Sequence, residues 1–266
     1  MAADRLTEEL AAGTPLVVLS PHLDDAVLSC GALLTRLPPG TPVTVATLFT
    51  HCGPPPHTLS ARRYLRQTGA TDAEELYASR RAEDRTVLAA MGVAWQHAGL
   101  QDGLFRRRPE QGPGRRALAR GVPEFGHVYP TYRLHLSAGR VSPHDAETVR
   151  EVAGVLSELT SRGPAVVLAP MAVGGHADHV LVREVAERSG QHVVYYSDFP
   201  YNQEQDVDPA FAGRHSLVRR TWESGLDDKA ELIRGYRSQA DALFPQGIPR
   251  VPEVYLLPGR AQAETP

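Results

Sequence analysis

Four short apolar runs, separated by stretches of helical character, limit what this chain can fold into more than any other feature. "PLVVLS" (15–20), "PVTVATLF" (42–49), "PAVVLAPM" (164–171) and "HVVYYSDF" (192–199) are rich in β-branched and aromatic residues and read as buried strands. Between the first two, "DDAVLSCGALLTRL" carries apolar residues near helical spacing, with an aspartate available as N-cap. "DAEELYASRRAEDRTVLAAM" (72–91) is charged early and apolar late and stops at Gly92; "DAETVREVAGVLSELTSRG" (145–163) and "HVLVREVAERSG" (179–190) read as further helices. "VAWQHAGLQDG" (93–103) reads as a strand leaving onto a loop. This alternation predicts an α/β, Rossmann-like architecture: a mainly parallel sheet with helices on both faces. With 266 residues and 42% hydrophobic content, one domain over 1–266 is the expectation.

Two segments break the rhythm. Residues 51–68, "HCGPPPHTLSARRYLRQT", hold three consecutive prolines and read as a long loop of the kind that often serves as a lid. Residues 104–144 include "RRRPEQGPGRRALARG", six arginines against one glutamate, followed by the aromatic "FGHVYPTYRLHL". A solvated insertion and a flap recognising an anionic or sugar-like substrate both fit this segment.

A formal net charge of -3 gives no general pull towards nucleic acid or an anionic membrane, so the expected partner is a small molecule. The two cysteines, Cys30 and Cys52, match neither a disulfide framework nor a four-thiolate zinc site, which points to a reducing compartment. The opening "MAADRLTEELAAG" lacks a basic and an apolar leader region, and no stretch approaches the length of an apolar membrane span. The expectation is a cytoplasmic protein, for which oligomerisation stays open.

The chemistry lies in two polar clusters at strand ends. "PHLDD" (21–25) follows the first strand and "GGHADH" (174–179) follows "PAVVLAPM". In an open parallel sheet, ligands bind beyond the carboxyl ends of the strands, so both clusters are delivered to one edge. Adjacent carboxylates such as Asp24 and Asp25 repel, and burying them needs compensation. A divalent cation supplies it, and histidines with carboxylates are the ligands of a catalytic zinc with an open position. One aspartate then binds the metal while the other stays free to act on water. A lone histidine or a lone N-cap aspartate would be unremarked; the conjunction at two strand ends points to a site.

These residues resemble the LmbE or PIG-L family of zinc-dependent N-deacetylases, whose hallmarks are an (A/P)HxDD motif and a later HxDH. The likeness extends to "RRAEDRTVLAAMGV" with "AGLQDG", to "YYSDFPY" and to a late helix "KAELIRGYRSQ", covering most of the chain from about 15 to 240 except the arginine-rich insertion. The resemblance implies that His22, Asp25 and His179 bind Zn2+, or another divalent transition metal. It implies that Asp24 is the general base for the attacking water, whose acidity the metal raises. It further implies that His176 stabilises the oxyanion or protonates the leaving amine, and that Asp178 orients a histidine. Arg80 and Asp102 fall where relatives place substrate contacts, although Arg80 could equally pair with Asp84 on a helix surface, and Asp102 could be an ordinary Asp-Gly turn.

Two departures stand out. Some relatives carry a tyrosine two residues before the first histidine of HxDH, where this chain has Gly174, and the usual proline inside the first motif is Leu23 here. His51 and His57 flank the proline loop and could reach the mouth of a site. His97, His127, His135, His144, His192 and His215 show no partner spacing and read as surface or structural.

The implied function is hydrolysis of an acyl group, typically acetyl, from the nitrogen of an amino sugar or related N-acylated metabolite. An amidase acting on a thiol conjugate is the nearest alternative. A non-haem iron oxygenase would use a similar two-histidine, one-carboxylate triad, but usually on an all-β barrel. Phosphate binding at the first turn is disfavoured, since "SPHLDDA" has no glycine fingerprint and places two aspartates at the helix start.

Overall fold

A computed structural model describes residues 5–109 and 113–259. The strands are β1 (Leu16–Ser20), β2 (Val43–His51), β3 (Ala94–Gln101), β4 (Val166–Pro170), β5 (His192–Tyr196), β6 (Leu217–Trp222) and β7 (Glu253–Pro258). The helices are α1 (Arg5–Ala11), α2 (Asp25–Leu34), α3 (Leu59–Gln67), α4 (Ala73–Ala90), α5 (Pro113–Gly121), α6 (Ala146–Thr160), α7 (Ala177–Arg188), α8 (Pro209–Arg214), α9 (Leu226–Ile233) and α10 (Arg237–Leu243).

The seven strands form one sheet in the order β3-β2-β1-β4-β5-β7-β6. β1 to β5 pair in parallel, while β7 runs antiparallel to both β5 and β6. The mainly parallel α/β expectation holds. Alternation along each strand sends Leu16 and Val18 of β1 to one core and Val17 and Leu19 to the other. The first core is closed by α1, α2, α9, α10 and the end of α4; the second by α6, α7 and α8. Among the described residues, no helix is long and apolar enough to cross a membrane.

Strand order reverses between β1 and β4, which is where an open α/β sheet leaves a crevice beyond its carboxyl edge. A third apolar cluster covers that edge. It joins Leu23 to Ala61 and Leu65 of α3, Leu76 and Tyr77 of α4, and Leu104, Phe105, Tyr129 and Leu136.

The proline-rich 51–68 stretch is therefore not all loop: its second half is α3. Thr58 caps that helix by accepting the Ala61 N–H, and Ala61 and Leu65, four residues apart, bury one face. The late helix is also interrupted. α9 and α10 are separate, and a Cβ on Gly235 between them would lie 2.4 Å from Val87 Cγ2.

Candidate active site

The turn from β1 into α2 is set by Ser20. Its hydroxyl donates to His22 O at 2.7 Å and accepts the Ala26 N–H at 3.0 Å, which pins residues 21–25 over the sheet edge. The His22 N–H donates to Asp25 Oδ2 at 2.8 Å. On the other side of the crevice, Ala172, Gly174 and Gly175 have φ of 63°, 89° and 66°, and this left-handed path turns the chain so that His176 becomes the N-cap of α7. Both clusters named from sequence thus meet at the switch point.

Three donor atoms converge there. His22 Nδ1 lies 3.2 Å from Asp25 Oδ2 and 3.2 Å from His179 Nε2, and the third side of the triangle, His179 Nε2 to Asp25 Oδ2, is also 3.2 Å. Tetrahedral coordination with bonds of about 2.0–2.1 Å separates ligand atoms by about 3.3 Å, so the triangle fits one face of such a site. The ring nitrogens of His22, His176 and His179 also group within 4.8 Å, as do donors of His22, Asp102 and Asp178. Those groupings are committed elsewhere. His176 Nδ1 accepts the Asp178 N–H, Asp102 accepts the Tyr77 hydroxyl at 2.6 Å and the Leu104 N–H at 2.8 Å, and Asp178 is held by Gly103 and Arg106.

The outer nitrogens of the two imidazoles are fixed on carboxylates, which leaves the inner nitrogens free to accept a cation. His22 Nε2 faces Asp178 Oδ2 at 3.2 Å, and His179 Nδ1 donates to Asp198 Oδ1 at 2.6 Å. Asp178 is itself immobilised: its Oδ2 accepts the Gly103 N–H at 2.7 Å and its Oδ1 lies 2.6 Å from Arg106 Nη2. A side chain at 103 would press on this carboxylate, since a Cβ there would stand 2.8 Å from Leu136 Cδ1 and 3.0 Å from Asp178 Oδ1.

Five aspartates (24, 25, 102, 178 and 198) face two arginines (80 and 106) around this point, an excess of negative charge matched to a divalent cation. The same excess acts on the imidazoles. Burial opposes charge on His22, yet Asp102, Asp178 and Asp25 overcome it and raise its pKa to about 10. Burial likewise works against a charged His179, and Asp25 and Asp198 hold its pKa well above the usual value.

Asp24 is 6% exposed and lies beside the triangle. Burial pushes its carboxyl up to about 7, opposed by Arg80 and reinforced by Asp25. Arg80 reaches Asp24 Oδ2 with Nη2 at 3.4 Å and the Tyr64 hydroxyl with Nη1 at 3.2 Å. Burial pushes His176 down to about 3, with His22 adding to the shift, so its ring is neutral. Because His176 Nδ1 accepts the Asp178 N–H, its hydrogen sits on Nε2.

A cavity of about 720 Å3 opens above these groups and is lined by His22, Asp24, Asp25, Arg80, Asp102, His176 and His179, but not by Asp178, which stands behind His22. Thus seven of the eight residues singled out from sequence border it. The surface pairing of Arg80 with Asp84 does not form: Arg80 is buried against Asp24, and Asp84 accepts from Thr47 and Tyr236 and faces His97 at 2.8 Å. Asp102 begins a turn at the Asp-Gly step and also stands 3.6 Å from His22 Nε2. His51 and His57 stay outside the cavity, one beside Thr50 Oγ1 and the other edge-on to Phe105.

Sequence reasoning missed Arg106, Asp198 and the cavity-lining Tyr64, whose hydroxyl donates to Gln239 Oε1 at 3.3 Å. Arg106 is the main correction to the solvated reading of the arginine run, since its guanidinium is buried between Asp178 and Asp145. Asp198 was visible only as part of "YYSDFPY". The Gly174 departure also acquires a structural account: the Tyr201 ring lies 3.5 Å from the place where a side chain on Gly174 would begin.

Comparison with known proteins identifies the family. The PIG-L family model, described as GlcNAc-PI de-N-acetylase, matches residues 17–189, from β1 through α7 and across both polar clusters. The chain belongs to the PIG-L family. It is 32% identical over 207 residues to the 2'-N-acetylparomamine deacetylase of Streptomyces fradiae, an alignment covering 76% of this chain and 62% of that relative. The chain therefore spans somewhat less than two thirds of that relative's length. Among solved structures, the zinc-inhibited form of teicoplanin deacetylase Orf2 superposes with a TM-score of 0.68 at 25% identity, covering 94% of this chain and 100% of the other. The A40926 pseudoaglycone deacetylase Dbv21 gives a TM-score of 0.65 at 23% identity over 94% and 99% of the two chains, a likeness of fold. β5, β6 and β7 lie beyond the residues that the family model matches.

Proposed function

We propose that this PIG-L chain is a metal-dependent N-deacetylase of N-acetylated amino sugars, with His22 Nδ1, Asp25 Oδ2 and His179 Nε2 holding one divalent cation, zinc by the nature of the donors. The observation that carries the reading is the 3.2 Å triangle of those three atoms, with the opposite nitrogen of each ring fixed on a carboxylate. The deacetylase names of the relatives support the reaction class.

When bound, the cation supplies Lewis acidity that polarises the amide carbonyl and acidifies water. Asp24 is the base: its Oδ2 is positioned by Arg80, and it accepts the proton of the attacking water as the C–O bond forms. His176 donates from Nε2–H to the carbonyl oxygen as negative charge develops there, a role suited to a neutral ring. Asp24 then returns the proton to the nitrogen as the C–N bond breaks, yielding acetic acid and the amine, which leave as acetate and ammonium once the second proton of the water has passed to the nitrogen. Asp178 and Asp198 keep His22 and His179 in the orientation the cation requires.

The test is release of primary amine from N-acetylglucosamine glycosides by the zinc-loaded protein beside Asp24→Asn. The expected result is release by the wild type and a loss of about 10²–10⁴-fold in the variant at unchanged zinc content. An Asp24→Asn protein with the wild-type rate would overturn the assignment of the base.

A further inference from the structure

With an amino-sugar amide at the cavity floor as proposed above, much of the roughly 720 Å3 remains for whatever the sugar is attached to. The mouth differs from the floor in chemistry. It is built by α3 and by residues 131–136, the second from the arginine-rich segment. The two are tied together: the Tyr132 N–H donates to Ser60 Oγ at 3.1 Å, and the Leu59 N–H donates to Glu124 Oε1 at 2.8 Å. Arg63 follows Ser60 by about one helical turn and Arg133 follows Tyr132 directly, so both guanidinium groups start from this seam, and both line the cavity.

Both arginines are exposed, and neither has an ion-pairing or hydrogen-bonding partner among the described residues. The acids lining the cavity are Asp24, Asp25 and Asp102, each engaged at the floor with Arg80, the imidazoles or Tyr77. The mouth is left with uncompensated positive charge. Beside it stand exposed apolar side chains, Tyr132 at 44%, Leu134 at 71% and Tyr201 at 41%, which also line the cavity. Exposed apolar surface gathered at the rim of a cavity marks a binding surface. An arginine pair beside it fits the planar oxygens of an acid group.

We propose that this rim is an aglycone subsite, with Arg63 and Arg133 contacting an acidic oxyanion and Tyr132, Leu134 and Tyr201 forming an apolar wall. The substrate class is then an N-acetylated amino sugar joined to an apolar, aromatic-sized group that carries an acid. Carboxylate and phosphorus oxyacids share this chemistry, and matched ligands separate them.

The test uses four aryl glycosides of N-acetylglucosamine: phenyl, 4-carboxyphenyl, 4-phosphonophenyl and 4-aminomethylphenyl. Calorimetric binding to zinc-loaded Asp24→Asn protein is measured alongside amine release by the wild type. The expected result is that at least one acidic glycoside binds about tenfold more tightly than the phenyl glycoside, while the amine binds more weakly. The tighter acid identifies the group. The preference should vanish when Arg63→Gln and Arg133→Gln are combined, shrink in about 0.5 M salt, and survive in an Arg162→Gln/Arg219→Gln control that removes the same charge elsewhere on the surface. Equal binding of all four glycosides, or a preference that survives loss of Arg63 and Arg133, would overturn the subsite. Binding preference without amine release would keep the subsite and overturn the deacetylase reading; release without preference would do the reverse.

Discussion

Arg106 ties Asp178, which stands behind His22, to Asp145 and to the end of β3. Its Nη2 lies 2.6 Å from Asp178 Oδ1, its Nη1 lies 3.0 Å from Asp145 Oδ2, and Nε and Nη2 donate to Gln101 O. The guanidinium also covers the Phe49 ring at 4.7 Å. Removing it would strip the guanidinium from two fully buried carboxylates at once, leaving Asp178 only the Gly103 N–H and His22, and Asp145 only the Tyr129 hydroxyl. Arg106→Met is therefore expected to lose about 3–5 kcal/mol of unfolding free energy in a denaturant titration, and a loss below about 0.5 kcal/mol would show that the pair carries no such load. Nothing local distinguishes this arginine from its five neighbours in the run. What selects it is pairing with acids 39 and 72 residues away, and such distances leave no trace in spacing. His22, Asp24, Asp25, His176, Asp178 and His179 were legible because they stand together in two compact motifs, "PHLDD" and "GGHADH", each following an apolar run that reads as a strand, and because those motifs carry the family resemblance.

Elements carry the next layer. β5 ends by placing Asp198 between His179 Nδ1 at 2.6 Å and the Val173 N–H at 2.8 Å, so one carboxylate orients a candidate ligand and pins the loop that leads to it. Asp198→Asn keeps one acceptor oxygen but not the charge facing the ring. A fall in zinc affinity of about 10–100-fold is expected, measured by competition with a chromophoric chelator; unchanged affinity would remove Asp198 from the metal's support. α3 makes the complementary point about legibility. Prolines 54–56 read as loop, and the helix that follows is short, polar on most of its surface and stabilised chiefly by Thr58 and by burial of Ala61 and Leu65 against Leu23 and Phe105. Thr58→Ala is expected to cost about 1 kcal/mol, a fall of about 2–4 °C in a thermal melt, and a melt identical to wild type would mean that the cap contributes nothing.

At the scale of the whole molecule, the parallel half supplies the crevice and the antiparallel pair closes the sheet. Alternating strand and helix patterns predicted β1, β2, β4 and β5 because a parallel strand buried on both faces leaves a continuous apolar run; β3, "AWQHAGLQ", is a half-exposed edge strand that was legible without one. β6 left no such signal, since "LVRRTW" is mostly exposed at the sheet edge. β7 is buried along "EVYLL" yet begins on Glu253, whose carboxylate accepts from Ala32 and Leu33 and pairs with Lys229 at 3.1 Å, a polar arrangement that hides a strand from pattern reading. Strand order then brings the ends of β1 and β4 side by side, and the three donor atoms meet although His22 and His179 are 157 residues apart. The most direct measurement is the zinc content of the protein after exhaustive dialysis, by elemental analysis, for the wild type and for Asp25→Ala and His179→Ala. One equivalent per chain in the wild type and its loss in both variants is the predicted result; a wild type that holds no metal, or variants that keep a full equivalent, would contradict it.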